Sequence, residues 1–392
     1  MLIKNNSFIL IYPFDELRTP ANCYFWSMDS ESNKPFKSAL KVNDGIPQPP
    51  SVNEGAARHF SKPGRKNLTP DQYIKGISEG NRTILSQAIT LIESSLLSHQ
   101  ELAQTIISKC LPLSGNSIRI GITGVPGVGK STFIEAFGKH LTSKGHKIAV
   151  LAIDPSSSRS RGSILGDKTR MEELSVDNNA FIRPSPAAGS LGGVARKTRE
   201  TIILCEAAGY DTILVETVGV GQSEIAVHSM VDFFLLLMLG GAGDELQGIK
   251  RGIMEMADAV VINKADGDNL NRVNVAKAEL RSALHYYPPT ESAWQPVCEA
   301  CSALTKAGIP EVAVLINKYV QFTKDNGYFD KRRLQQSKQI MMNMIDQALH
   351  DHFYQQVEIK KLMSRVEADL QQEKISAYVA GQILLERYFS KE

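Results

Sequence analysis

Short apolar runs alternate with longer amphipathic stretches through the middle of this chain. Each run is apolar on both faces and a helical stretch separates it from the next, so the pattern predicts a parallel sheet with helices on both sides. Ligands of such sheets collect at the carboxyl ends of the strands. The predicted strands are Ile118–Ile122, Lys147–Ile153, Ala180–Arg183, Thr212–Glu216, Phe233–Leu239, Ala259–Ile262 and Gln295–Cys298.

The regions on either side of this alternation differ from it in composition. Residues 1–67 are rich in Pro, Asn and Ser, and this tail is expected to be largely disordered, with Met28 as an alternative start of the chain. A helical period over residues 68–112 predicts a helical lead-in. We expect the α/β domain over residues 113–318 and a set of C-terminal helices over residues 319–392.

The expected C-terminal helices carry apolar residues at i, i+4 spacing. A helix with such a stripe needs an apolar surface that covers it. Packing on the chain's own domain and pairing with a second copy both satisfy the spacing. The stripe positions are Met341, Ile345, Leu349, Phe353, Leu362, Val366 and Leu370.

Composition narrows the class of protein without naming a partner. The 392 residues include 44 Lys and Arg and 42 Asp and Glu, a net charge of +2, which favours neither nucleic acid nor a membrane surface. The most apolar stretch, Val231–Leu239, is too short to span a bilayer, so no transmembrane segment is expected. Five scattered cysteines and the lack of a signal or transit pattern predict the cytoplasm, and the isolated Cys298 and Cys301 pair is interpreted as incidental.

The clearest chemical signal directly follows the first apolar run. Residues 124–131 read Gly-Val-Pro-Gly-Val-Gly-Lys-Ser, a complete G-x-x-x-x-G-K-[ST] phosphate loop. A strand that turns through glycines into a helix aims backbone N–H groups and the positive helix end at one point, where phosphate binds. Lys130 would reach the outer phosphates, and the Ser131 hydroxyl would hold Mg²⁺. The expected phosphate-binding residues are Gly124, Val125, Pro126, Gly127, Val128, Gly129, Lys130, Ser131 and Thr132.

A second signal concerns the base of the nucleotide. The segment Asn263-Lys264-Ala265-Asp266 follows a predicted strand, and the Asp266 carboxylate can accept hydrogen bonds from N1–H and the 2-amino group of guanine. Adenine lacks this pair of donors and would leave the acid unpaired, so the segment predicts guanine specificity. Lys264 would lie along the base. The segment after the last strand, which resembles the loop whose backbone N–H meets guanine O6, comprises Ser302, Ala303 and Leu304.

Two further runs end in acids that suit a metal site. Glu216 stands where NTPases place the acid that holds Mg²⁺ or its water, and Gly219 can offer its N–H to the γ-phosphate. Asp154 ends another strand and is a second candidate for the metal. The residue after Gly219 is Val220, whereas Ras-like proteins have a glutamine there that orients the attacking water. Intrinsic hydrolysis is therefore expected to be slow or to use another residue.

Two loops are candidates for nucleotide-dependent switches. In the first, Asp167 could complete the Mg²⁺ shell or position water, while Lys168 or Arg170 could neutralise phosphate charge. The second covers residues 240–251 and combines glycines with acids, an amide and cations, as a loop that signals the nucleotide state would. For both loops, an ordinary solvated surface loop is the alternative interpretation.

These segments together resemble the MeaB/ArgK/MMAA family of P-loop GTPases. The resemblance implies a SIMIBI-class fold that binds GTP or GDP with Mg²⁺. It also implies a homodimer and a chaperone that gates adenosylcobalamin loading and protects methylmalonyl-CoA mutase or a related acyl-CoA mutase. The segments that carry it are GVPGVGKS (124–131), AIDPSS (152–157), ILGDKTRM (164–171), VETVGVGQSE (215–224), GAGDELQGIK (241–250) and NKAD (263–266).

The same resemblance assigns residue roles. It implies a switch at Gln247 and Lys250 that couples GTP to the mutase, and dimerisation through the C-terminal helices. Two other functions use the same parts, namely a P-loop kinase or regulator linked to amino-acid (Arg, Lys or ornithine) transport, and a metal-insertion GTPase. The implied metal, switch or catalytic positions are Asp154, Asp167, Arg170 and Glu216, beside the catalytic Lys130.

Overall fold

The computed structural model describes residues 68–154, 171–186, 191–217, 223–241, 251–288 and 290–390. These residues belong to one compact unit. None of the helices in these ranges combines the length and the apolar character needed to cross a membrane.

A parallel sheet forms the centre of the described chain. Its strands are β1 (Ile118–Gly124), β2 (Ile148–Asp154), β3 (Ala180–Pro186), β4 (Thr212–Thr217), β5 (Phe233–Leu239), β6 (Ala259–Asn263) and β7 (Val297–Ala300). Their order is β3-β2-β4-β1-β5-β6-β7, and every pair of neighbours is parallel. The predicted α/β fold with a parallel sheet is therefore confirmed.

The last strand begins later than its apolar pattern predicts. The prediction starts at Gln295, whereas β7 begins at Val297, where it pairs with Ala259. Pro296 has no backbone N–H to donate to a ladder, which explains why pairing starts after it. At the opposite end of the first strand, pairing with β5 carries β1 on to Gly124, the first residue of the phosphate loop.

Helices cover both faces of the sheet. They are α1 (Pro70–Ser78), α2 (Arg82–Glu93), α3 (Leu97–Cys110), α4 (Lys130–Ser143), α5 (Glu172–Ser175), α6 (Leu191–Ala207), α7 (Ser223–His228), α8 (Arg251–Met256), α9 (Leu270–His285), α10 (Ile309–Asp325), α11 (Tyr328–Gln355), α12 (Val357–Gln371) and α13 (Ala377–Phe389). One core joins α4 and α10 to the β1 side chains Ile120 and Ile122. Helices α1, α2, α3 and α6 join the opposite core through Ile213 and Val215 of β4.

The predicted helical lead-in is divided into α1, α2 and α3. Thr69 starts α1 with a capping box, and Asn81 caps α2 after Gly80, which adopts a φ of +73°. The helical period predicted over residues 68–112 is interrupted between α2 and α3, where Leu96 and Leu97 are 58% and 77% exposed. The lead-in therefore packs as part of the sheet's own core and not on a core of its own.

The C-terminal helices leave part of their predicted stripe uncovered. Helix α10 runs across residue 318, where the domain boundary was expected, and packs on the sheet. The following helix, α11, is 28 residues long, and its Met341, Ile345 and Leu349 side chains are 54%, 44% and 58% exposed. Val366 instead packs in a small cluster between α12 and α13. Phe353 and Leu362 pack against this cluster, whereas Leu370 is 36% exposed. Packing within the chain thus covers the middle of the predicted stripe and leaves its two ends exposed.

Candidate nucleotide-binding site

The phosphate loop lies where the order of the sheet reverses. From central β1 the chain moves through α4 to β2 on one side, and later to β5 on the other side of β1. Open α/β sheets bind ligands in the crevice outside the carboxyl ends of the strands at such a point. The predicted site residues that the structure describes stand at the ends of β1, β2, β4, β6 and β7, so the fold brings them to one edge.

Glycine is required in the phosphate loop for two different reasons. At Gly124 a Cβ atom would lie 2.4 Å from the Leu237 carbonyl oxygen of the neighbouring strand. Gly129 has a φ of +90° at the N-cap of α4, a conformation that residues with side chains rarely adopt. The tight backbone carries the chain from β1 directly into α4, whose first backbone N–H groups face the crevice.

Lys130 lies beneath this loop and is only 9% exposed. Its Nζ donates to the carbonyl oxygens of Gly124 at 2.8 Å and Val125 at 3.3 Å. Burial lowers the pKa of the Lys130 ammonium, and the negative charges of Glu216 and Glu224 oppose that shift. The ammonium is therefore held by neutral oxygens, which phosphate oxygens can replace.

Ser131 and Glu216 meet at the end of β4. The Ser131 hydroxyl donates to Glu216 Oε1 at 3.4 Å, and Glu216 is 7% exposed. Neighbouring ligands of octahedral Mg²⁺ stand about 2.9 Å apart, so a small approach of the two oxygens would let them take adjacent positions on one ion. Within the described ranges no three His, Cys, Asp or Glu side chains form a metal cluster. Mg²⁺ usually binds through one or two protein carboxylates together with substrate phosphates and water, and this pair can supply part of such a set.

The backbone of Asp154 lies at the same end of the sheet. It is the last residue of β2, one position beyond the Ile153 and Thr217 pair, and its side chain lies outside the described atoms. Thr217 in turn donates its hydroxyl to the Thr123 hydroxyl at 2.9 Å. This buried bond, which the sequence patterns did not reveal, ties the strand that carries Glu216 to the strand that carries the phosphate loop.

Asn263 connects the phosphate loop to the loop after β7. Its Nδ2 donates to the Val128 carbonyl at 2.8 Å, and its Oδ1 accepts from the Ala303 N–H at 3.1 Å. The side chain is 1% exposed, so these bonds are made away from water. Asn263 therefore fixes the position of the loop expected to read the base relative to the loop expected to hold the phosphates.

Asp266 follows β6 and contacts the loop after β7. The Ser302 hydroxyl donates to Asp266 Oδ2, and Ser302 Oγ accepts from the Thr305 N–H at 3.1 Å. Lys264 adopts a φ of +60°, and its Nζ donates to the Gly127 carbonyl at 2.9 Å. Leu304 is 78% exposed. The Lys264 side chain thus links the segment after β6 to the phosphate loop, and the Ser302 hydroxyl orients the Asp266 carboxylate.

Several predicted positions lie outside the described residues. Asp167 and Arg170 fall within 155–170, and Gly219 falls within 218–222. Gln247 and Lys250 of the implied third switch fall within 242–250. By contrast, the sequence patterns gave no role to Glu224, which is 5% exposed and lies close enough to Lys130 to affect its pKa. Glu224 is the last residue of the segment 215–224, which carries part of the family resemblance, and this was the sequence feature that could have pointed to it.

Comparison with known proteins assigns the family. Residues 85–358 match the family model described as Methylmalonyl Co-A mutase-associated GTPase MeaB. The chain belongs to this family. A probable GTPase of Mycobacterium tuberculosis is 48% identical to this MeaB-family chain over 318 residues, which cover 81% of the chain and 95% of that relative. The family resemblance and the prediction of a GTPase are confirmed.

Further relatives extend the comparison of this MeaB-family GTPase. The GTPase ArgK of Escherichia coli is 47% identical over 283 residues, 72% of this chain and 86% of ArgK. The mitochondrial methylmalonic aciduria type A homolog of Mus musculus is 45% identical over 331 residues, 82% of this chain and 80% of that protein. The crystal structure of an LAO/AO transport system kinase superposes with a TM-score of 0.66 at 36% identity, covering 81% of this chain and 97% of that one.

Proposed function

We propose that this MeaB-family GTPase binds GTP with Mg²⁺ and serves an adenosylcobalamin-dependent acyl-CoA mutase, with methylmalonyl-CoA mutase as the first candidate. In this role it gates loading of the cofactor into the mutase and protects the mutase from inactivation. The match of residues 85–358 to a model of mutase-associated GTPases carries the choice of partner. The geometry around Asp266 supports the choice of nucleotide.

Recognition of guanine rests on a carboxylate fixed by neutral neighbours. Asp266 accepts from the Ser302 hydroxyl, and Asn263 links the loop around Ala303 to the phosphate loop. A bound guanine would give the carboxylate two N–H donors, whereas adenine would bury it without them. The Ala303 N–H already donates to Asn263, so we propose that guanine O6 shares this donor or takes the next one at Leu304.

We propose that Lys130, Ser131 and Glu216 serve the phosphate chemistry. The N-terminal N–H groups of α4 and the Lys130 ammonium would stabilise the negative charge that hydrolysis develops on the phosphates. Ser131 and Glu216, with Asp154 and Asp167, would hold Mg²⁺, which supplies charge neutralisation and orientation of the phosphates. Because Val220 replaces the glutamine of Ras-like proteins, we expect slow turnover until a partner completes the site.

We propose that the nucleotide state is signalled by the segments that continue from the site strands. β2 ends at Asp154, β4 ends at Thr217, and the segment with Gln247 and Lys250 follows β5. Contacts of the γ-phosphate with Gly219 and with Arg170 would exist with GTP and disappear with GDP. Such differential contacts are what a ligand needs to shift a conformational equilibrium toward the form that the mutase recognises.

We further propose that the protein is a cytoplasmic homodimer. The exposed stripe of Met341, Ile345 and Leu349 on α11 supports this, because apolar side chains on one face of a long helix favour a covering surface. Sedimentation of the purified chain tests the assignment. We expect a dimer that Ile345→Glu converts to monomers, whereas Asn343→Glu, an exposed position on the opposite face of the same helix, leaves it intact.

The partner is tested by hydrolysis of GTP and ATP with and without the mutase from the same source. We expect slow hydrolysis of GTP, little hydrolysis of ATP, and an increase with GTP when the mutase is added. Lys130→Ala is the inactive control in both conditions. Unchanged GTP turnover with the mutase would contradict the choice of client and leave the GTPase assignment in place.

A second function is favoured by one comparison. The similar solved structure is named an LAO/AO transport system kinase. A kinase would transfer the γ-phosphate to an acceptor, whereas a GTPase transfers it to water. Release of inorganic phosphate in amounts equal to the GDP formed, with arginine, lysine or ornithine present, supports hydrolysis. Phosphate recovered on the amino acid or on a protein would favour the kinase.

A further inference from the structure

A second cavity lies at the edge of the sheet opposite the nucleotide site. Its volume is about 260 Å³, and its walls come from α6, from the residues that follow α7, and from α11. Arg119 near the amino end of β1 and Met230, which precedes β5, place it at the amino ends of the central strands. The phosphate loop follows the carboxyl end of the same β1. The cavity is therefore separate from the site described above.

Two of the three arginines that line this cavity are neutralised by buried acids. Arg119 donates through Nε and Nη2 to the two carboxylate oxygens of Glu206, at 2.8 and 3.0 Å. Arg333 donates in the same manner to Asp232, at 2.8 and 2.7 Å. These side-on bidentate pairs satisfy both carboxylates. The two pairs contribute no net charge to the cavity.

Arg199 is the third arginine, and it has no acidic partner among the described residues. Its Nη2 donates to the Ser229 hydroxyl at 2.6 Å, and its Nε is buried without a partner. Burial lowers the pKa of Arg199, with no opposing contribution from a nearby acid. The cavity therefore carries one positive charge in excess of its acids. A partly buried guanidinium in this state gains from an anion that comes from outside the cavity.

The rest of the wall limits which anion fits. Ile202, Ile203, Met230 and Ile340 present hydrocarbon, so the anion needs an apolar part beside its charge. The volume is below the range of about 300–1,000 Å³ typical of drug-sized ligands, so the anion must be small. Leu111, Gly115 and Ser337 are exposed at the rim, which leaves a route from solvent.

We propose that this cavity binds a small organic carboxylate with a short hydrocarbon chain, whose carboxylate pairs with Arg199. A planar carboxylate matches the planar guanidinium and can accept two of its N–H groups. The hydrocarbon chain lies against Ile202, Ile203 and Met230. The Ser229 hydroxyl holds Arg199 on the other side. This site is independent of the nucleotide and of the proposed mutase.

Calorimetric titration of the full chain with hexanoate tests the site. We expect saturable binding of hexanoate, and binding at least roughly tenfold weaker for hexanol, which lacks the charge, and for inorganic phosphate, which lacks the chain. Arg199→Gln should weaken hexanoate roughly tenfold or more because it removes the unpaired charge. Arg196→Gln is the matched control, since it removes the same charge from the same helix, where Arg196 is 51% exposed and pairs with Glu200.

A second variant, on α11, tests the proposed pairing of the ligand with Arg199. Ser337→Glu places a carboxylate at the exposed rim, where it can pair with Arg199 and compete with hexanoate, so we expect weaker binding in a fully folded protein. Three results overturn the proposal: no saturable binding of hexanoate, equal binding of hexanol or phosphate, or unchanged affinity in Arg199→Gln and Ser337→Glu.

Discussion

The two edges of the central sheet hold their charged groups in opposite ways. At the carboxyl edge, Lys130 donates to main-chain carbonyls, and Glu216 accepts a long 3.4 Å bond from Ser131. At the amino edge, Arg119 and Arg333 form bidentate pairs with Glu206 and Asp232. Both edges therefore contain buried charge, and the bidentate ion pairs described above lie at the amino edge.

The difference follows from what each edge must do. A group that binds an exchangeable ligand is better held by neutral partners, because a bidentate ion pair would have to be broken whenever the ligand binds. A group that joins strands to helices has no ligand to exchange, and pairing its charge avoids a large desolvation penalty. Arg333 illustrates this, because it also donates to the Ser117 carbonyl at 2.6 Å and so joins α11 to the residue before β1.

The largest expected effect belongs to the carboxyl edge. Lys130→Ala removes the ammonium that would bind the outer phosphates, and we expect GTP turnover (kcat/KM) to fall at least about 10³-fold. The free energy of unfolding should change little, because the bonds that the ammonium makes to described residues go to the neutral carbonyls of Gly124 and Val125. Steady-state kinetics and denaturant unfolding measure the two quantities. Lys144→Ala, at the exposed end of α4, is the control. Normal turnover in Lys130→Ala would contradict the site assignment.

A substitution at the amino edge should lower stability and leave the nucleotide preference unchanged. Asp232→Ala leaves Arg333 buried without its acid, and loss of one partner of a buried pair costs about 3–5 kcal/mol of stability. Preference for GTP over ATP should not change. Denaturant unfolding gives the stability, and competition between nucleotides gives the preference. Asp211→Ala provides the control, because Asp211 is also at the amino edge but is 44% exposed, so about 1 kcal/mol is expected. Equal losses in the free energy of unfolding for Asp232→Ala and Asp211→Ala would contradict the distinction between buried and exposed ion pairs.

His228 should give a smaller effect that depends on pH. Burial and the positive charge of Arg332 lower the pKa of His228 to about 4. Between about pH 6.5 and pH 4, His228 is therefore protonated in the unfolded state and neutral in the folded state. The free energy of unfolding should fall by about 3 kcal/mol as the pH decreases through this range. Unfolding at a series of pH values measures this slope. His228→Asn should reduce it, and an unchanged slope would assign the pH dependence to other groups.

The sheet and the phosphate loop were predictable because each depends on local sequence. Apolar runs such as Phe233–Leu239 are buried on both faces, and the glycines at 124 and 129 mark backbone conformations that other residues avoid. The division of the lead-in into separate helices was not apparent from the apolar spacing. It depends on Gly80, whose positive φ follows the end of α1, and on Asn81, which caps the start of α2.

Other features depend on residues that are distant in the sequence, and a linear pattern does not carry them. Asn263 was assigned to the nucleotide from its motif, but its bonds to Val128 and Ala303 span more than a hundred residues and forty residues, respectively. Arg199 likewise comes to line a cavity only because α6 and α11 are adjacent in the fold. The sequence thus predicts the chemical groups of the candidate nucleotide site, whereas the hydrogen bonds that hold them together are visible only in the fold.

The most direct test of the nucleotide site is a comparison of GTP and xanthosine triphosphate as substrates for Asp266→Asn. Xanthine carries an oxygen where guanine has its 2-amino group, so the amide of the variant can donate where the carboxylate could only accept. The account predicts that the unchanged chain prefers GTP, that Asp266→Asn prefers xanthosine triphosphate, and that Asp268→Asn, at an exposed position nearby, behaves as the unchanged chain. The same preference for GTP in Asp266→Asn would contradict guanine recognition at this edge of the sheet.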